Sequence, residues 1–213
     1  MLGAEIDADL VNPRTFTDAK ADMSVSVADM DVDFFQAIWP KGLAKKTYGW
    51  VRKHISEGII SSGAVQLTID GAEHPESRIT DITGTVELEK TSFQLYPDMD
   101  PFRQVDATLV FADNLLRVSA KQTNQPAFGV KNANVTMSPL YNPERHSRAL
   151  HISLALSGEL SPLLTFLDHP RINRLAGTGL SPLTSTGITE ATFSATGTVP
   201  PGQKLILSEF LYE

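Results

Sequence analysis

Apolar and polar residues alternate one for one through long stretches of this chain: Val65, Leu67 and Ile69; Val105, Ala107, Leu109 and Phe111; Leu116 and Val118; Leu150, Ile152, Leu154 and Leu156. Successive side chains of a strand point to opposite faces of its sheet, so this spacing gives one apolar face and one wet face. The intervening residues agree, as in Gln66 and Thr68, Arg117 and Ser119, or His151 and Ser153. Half-buried strands of this kind belong to antiparallel sheets. Their connectors carry turn residues at Asp70-Gly71, Tyr96-Pro97-Asp98, Asp113-Asn114 and Ser138-Pro139, and residues 111–118 read as a hairpin. The expected fold class is mainly β with two or so helices: a curved antiparallel sheet, or β-groove, built from successive hairpins.

Two segments break the alternation. Over residues 42–57, Leu43, Ala44, Thr47, Tyr48, Trp50, Val51 and Ile55 fall on one stripe while Lys45, Lys46, Arg52 and Lys53 face away, with Gly58 placed to stop the helix. Trp39 and Pro40 ahead of it suggest a fixed corner packed by the indole. A second helix is expected over about 161–176, with Ser161 as N-cap and Pro162 at the first helical position. Pro170 should break or kink it. Residues 177–187, rich in Gly, Ser and Thr, read as a loop before final strands around Phe193 and Leu205 to Leu207.

Strand patterns reach almost to Met1 and to Glu213. Residues 1–35 are therefore expected to be strands continuing a longer sheet, 36–199 the main unit, and 200–213 a final, truncated strand. A chain of 213 residues can bury a sizeable core. Its net charge of -7 opposes a phosphate backbone, which argues against nucleic acid as a partner. The absence of cysteine excludes disulfides, thiolate metal sites and cysteine nucleophiles. No apolar run is long enough to span a bilayer, and the first residues do not read as a signal peptide.

The chemistry-bearing residues form no recognisable machinery. His54, His74, His146, His151 and His169 are scattered, with no partner at metal-ligand spacing. Asp31 and Asp33, Glu87 and Glu89, and Asp98 and Asp100 are near neighbours, but Glu87 and Glu89 share the exposed phase of a strand and Asp98 and Asp100 flank a turn. No nucleophile elbow, phosphate loop or dinucleotide fingerprint is present. The expectation is no catalytic residue, no metal and no cofactor. What remains is the apolar face, which is either ordinary core or a groove for acyl chains. In a groove, burial contributes roughly 0.8 kcal/mol per methylene.

The stretch WPKGLAKKTYGWVRKHISEGIISSGAVQLTID, residues 39–70, with Trp39, Pro40, Trp50, Arg52, Gly58 and Gly63, resembles a recurring segment of the large AsmA-like envelope proteins of Gram-negative bacteria, in their YhdP-type branch. ITGTVELEKTSFQLYPDMDPFRQVDATLVFADNLLRV (82–118), AFGVKNANVTM (127–137) and SGELSPLLTFLDHP (157–170) continue the likeness in order, from about Gln36 to Val199. The resemblance implies a periplasmic, non-catalytic segment of an inner-membrane-anchored protein, lining a groove that carries phospholipid toward the outer membrane. The groove candidates are Leu67, Leu88, Leu109, Phe111, Val118, Ile152 and Leu154; Trp39, Pro40 and Trp50 would form the packing corner and helix. The partners implied are phospholipid acyl chains and neighbouring segments of the same full-length chain. An alternative is a structural or assembly module with a closed core.

Overall fold

The computed structural model describes residues 3–11, 20–39, 45–70, 78–122, 127–141, 147–175, 178–200 and 206–212. Its strands are β1 (Gly3–Val11), β2 (Lys20–Asp31), β3 (Ile55–Ser56), β4 (Ile59–Asp70), β5 (Arg78–Phe93), β6 (Phe102–Ala112), β7 (Leu115–Gln122), β8 (Phe128–Ser138), β9 (Arg148–Glu159), β10 (Ile188–Val199) and β11 (Ile206–Tyr212). The helices are α1 (Val32–Ile38), α2 (Lys45–His54) and α3 (Leu160–Asp168). Among the described residues the strands form one curved, unclosed antiparallel sheet in the order β1-β2-β4-β5-β6-β7-β8-β9-β10-β11, with β3 pairing β5 off that path. Every neighbour is the next long strand in the chain, as a stack of hairpins requires. The Asp113-Asn114 turn carries the expected left-handed pair, φ 52° and 59°, and joins β6 to β7.

Because each strand reverses the last, all the helical inserts fall at one end of the strands. α1, α2 and β3 lie between β2 and β4, and α3 lies between β9 and β10. This end is one lip of the curved sheet. The C-terminal ends of β6, β8 and β10 lie at the other.

Asp31 starts α1: its Oδ1 accepts the backbone N–H groups of Asp33 at 2.8 Å and Phe34 at 3.0 Å. Val32 and Gln36, one turn apart, are buried, and the Gln36 side-chain amide donates to the Ile55 carbonyl at 2.9 Å. α1 was not foreseen from the sequence, which assigned residues 1–35 to strands. Trp39 ends the helix in an extended conformation, ψ 129°, as a residue before proline should. Its ring lies 5.4 Å from Phe35 and 5.6 Å from Tyr48. Pro40, Leu43 and Ala44 lie outside the described residues.

α2 ends at His54, three residues short of the expected 57. Ile55 and Ser56 instead pair with Phe93 and Ser92 of β5, in line with β4. Between β3 and β4, Glu57 and Gly58 take positive φ values of 58° and 76°. A Cβ on Gly58 would stand 2.5 Å from the Glu89 carbonyl oxygen, so only glycine fits this close approach. α3 is also shorter than 161–176. It begins at Leu160 with Glu159 as N-cap, and it stops at Asp168, ahead of Pro170. Ser161 is inside the helix, and its hydroxyl donates to the Pro182 carbonyl at 2.7 Å rather than capping. Residues 176 and 177, and Leu205, lie outside the described residues.

Two buried clusters sit where the helices cover the sheet. Val27, Met30, Val32 and Ile60 form one, with Phe35, Val86 and Leu88 against it. Val130, Leu156 and Leu163 form the other, with Phe102, Phe128, Leu154, Phe166 and Phe193 around them. The rings of Phe102, Phe128 and Phe166 meet at 5.5 to 6.1 Å between centroids, tying β6 and β8 to α3.

Candidate functional site

The strand register gathers all seven groove candidates onto one face of the sheet. Pairing carries one row across eight strands: Val27, Gly63, Val86, Leu109, Val118, Val135, Ile152 and Ala195. A second row, nearer the helices, runs Met30, Ile60, Leu88, Ala107, Ala120, Ala133, Leu154 and Phe193. On the far side of the first row, Val65 pairs Gly84, which pairs Phe111, and the row goes on through Leu116, Met137 and Leu150. Leu67 is two residues beyond Val65 on β4, opposite Ile82.

The seven are not equivalent. Leu88 and Leu154 pack against the two buried clusters and so belong to the core under α1 and α3. Leu67, Leu109, Phe111, Val118 and Ile152 join neither cluster and are half-buried. Among the described residues the apolar face is therefore a core along the helical lip and an uncovered trough beyond it. Three successive alanines, Ala107, Ala120 and Ala133, occupy the middle of the second row.

The helical lip is closed by polar contacts. The Gln94 backbone N–H donates to the His54 carbonyl at 2.8 Å, and the His54 ring Nδ1 lies 2.6 Å from the Gln94 carbonyl oxygen. Further along, Arg171 Nε donates to Asp98 at 3.0 Å, and the same guanidinium lies 5.3 Å above the Tyr96 ring. Partial desolvation, the largest single influence, acts against ionisation of Asp98, but the hydrogen bond from Arg171, a backbone hydrogen bond and the attraction of Arg171 and His169 together outweigh it and hold the carboxyl below its ordinary value. Trp50, 49% exposed, stacks on His54 and Phe93 at 5.0 and 6.3 Å on the outside of this lip. Arg52 and Lys53 are exposed as expected, but so are Thr47 and Trp50 from the stripe meant to face inward.

The other face is mostly polar, with Ser62, Glu87, Thr108, Ser119, Asn134, Ser153 and Ser194 in one cross-strand row. A hollow of about 380 Å³ on that face is lined by Glu87, Glu89, Asp106 and Lys121, with no histidine among its residues. Glu87 accepts the Ser62 hydroxyl at 3.0 Å, and Asp106 accepts the Lys90 backbone N–H at 3.0 Å. Among the described residues no three His, Asp or Glu side chains gather where a metal ion could be held. His74 and His146 lie outside them. Among the described residues, no helix is long and apolar enough to cross a membrane.

The sequence reading passed over Arg148. It is in phase with Leu150, Ile152 and Leu154, and that parity alone places it on the apolar face. Register with Val199 of β10 confirms the placement, at the lip opposite the helices. Arg148 is the one charged residue that the paired positions of the described strands put on this face.

The chain matches no family model, no curated protein and no solved structure.

Proposed function

We propose that this chain is a non-catalytic segment lining a hydrophobic groove for phospholipid transport between inner and outer membranes, as the resemblance to AsmA-like envelope proteins implies. In this reading it lies in the periplasm, within a longer chain anchored in the inner membrane. The observation that carries the proposal is the apolar row from Val27 to Ala195, continuous across eight strands and left by α1 and α3 without a helical cover over Leu109, Val118 and Ile152. Acyl chains are recognised by apolar area alone, so such a surface binds them without selecting sharply among them.

Native mass spectrometry with lipid extraction, on protein purified from a Gram-negative host without harsh detergent, tests the reading. Co-purified phospholipid supports it. Repeated absence of lipid, together with no uptake of a fluorescent phospholipid, would favour a structural or assembly module of the envelope. The burial of Leu156 and Met30 beneath the helices is the observation on that side.

A further inference from the structure

Arg148 stands where an apolar surface meets a lip of the sheet. Behind it along β9 come Leu150, Ile152, Leu154 and finally Leu156, which is 0% exposed beneath α3. At about 3.3 Å per residue, that file of side chains is roughly 26 Å long, with a cation at one end and a closed core at the other. Beside Arg148 are a backbone carbonyl, that of Leu140, which accepts from Nη2 at 3.1 Å, and the paired Val199. No carboxylate of the described residues lies within 4.0 Å of the guanidinium, whereas the exposed Arg103 and Arg171 are both paired with acids. The Tyr141 phenol is pushed up first by burial and then by Asp81, with which it is hydrogen-bonded, and by Asp113.

Among the described residues, then, no acid neutralises the guanidinium. Its Nε is shielded from solvent and has no hydrogen-bond partner, and burial lowers the group from its usual value. A partly desolvated guanidinium that meets no carboxylate among the described residues is suited to a phosphate, whose oxygens accept two N–H groups at once.

We infer that Arg148 is a head-group contact of the trough: it binds the phosphate of an amphiphile whose apolar chain lies along Leu150, Ile152 and Leu154 toward α3. This rests on the reading of the trough as an acyl-binding surface. It adds an orientation, head at the hairpin lip and tail toward the helices, and a requirement for negative charge on the ligand.

The test compares fluorescent phosphatidic acid with the matching diacylglycerol, which has the same chains and no phosphate, on the full chain and on Arg148→Met and Arg148→Lys. The full chain should prefer phosphatidic acid by about tenfold or more, the effect of a charge-assisted hydrogen bond. Arg148→Met should lose that preference while binding diacylglycerol within about twofold of the parent, and Arg148→Lys should keep part of it. Circular dichroism and the thermal midpoint establish that each variant is folded, and the lysine variant carries the test if the methionine one is not. An unchanged preference in Arg148→Met would overturn the inference and leave the trough intact. Binding of neither lipid would overturn both. Displacement of phosphatidic acid by inorganic phosphate at matching concentration would make Arg148 a site for free anions and sink the lipid assignment.

Discussion

Leu109 stands directly opposite Val118 across the β6–β7 hairpin, and both are half-buried on the trough side with no helix above them. A charge placed here meets apolar neighbours but not a sealed core. Leu109→Asp should therefore cost about 1 to 3 kcal/mol, keep the strand content, and weaken fluorescent-lipid binding about tenfold. Circular dichroism and a binding titration on the same sample check this. Collapse of the fold would instead show Leu109 to be core.

Leu156 provides the contrasting case within one sheet. It is fully buried beside Val130 and Leu163, so Leu156→Ala should lose about 2 to 5 kcal/mol. Ile152→Ala, four residues away in the half-buried trough, should lose less. Urea midpoints of the two variants measure the difference, and equal losses would mean that the trough is filled as tightly as the core.

Backbone geometry makes its own prediction at Gly84. Its φ is +144°, and a Cβ there would lie 2.2 Å from the Ala64 carbonyl oxygen and 2.7 Å from the Val65 Cα. Gly84→Ala should destabilise the sheet by about 1 to 3 kcal/mol or more. Gly63→Ala is the control. Its Cβ would meet Ile60, Val86 and Val27 at 3.7 to 3.8 Å, ordinary contact, so the thermal midpoint should move far less.

The kink between β3 and β4 should be acid-sensitive. The Ser92 hydroxyl and then Arg103, 3.0 Å away, hold the Glu57 carboxyl below its ordinary value. A carboxyl lowered in the folded state stabilises it fully above the unfolded value and loses that contribution as pH falls through the folded one. Replacing Arg103 by Gln should move the Glu57 titration, followed by carboxyl NMR, upward. Glu57→Gln should flatten the acid limb of the stability profile.

Much of this architecture could be read from single residues. Parity along Leu150, Ile152 and Leu154 named their shared face, because the side-chain period of a strand is fixed at two and each hairpin preserves it. The same parity at Arg148 was there to be read, yet a lone arginine before an apolar run looks like an end residue until the register with Val199 fixes it. Helix limits were less legible. Ile55 continues the helical stripe of α2, but Phe93 offers it a strand partner, and that choice is made by a residue 38 positions away. α1 was missed although Asp31 is a good cap, since VDFFQAI has too few turns to show a period against the alternation before it. Nor could parity tell Leu154 from Ile152. Only the landing of α3 on the sheet made one a core residue and left the other in the trough.

The row from Val27 to Ala195 has a mechanical consequence. Neighbouring strands are about 4.8 Å apart, so over its stretch of Leu109, Val118, Val135 and Ile152 an apolar ligand displaced sideways by one strand exchanges one aliphatic neighbour for another of the same kind. Its free energy along that direction is nearly level. Displacement along a strand is different, because the side chains of α1 and α3 fill one lip. The sheet therefore presents one soft coordinate and one stiff one, which is the property of a rail rather than of a pocket.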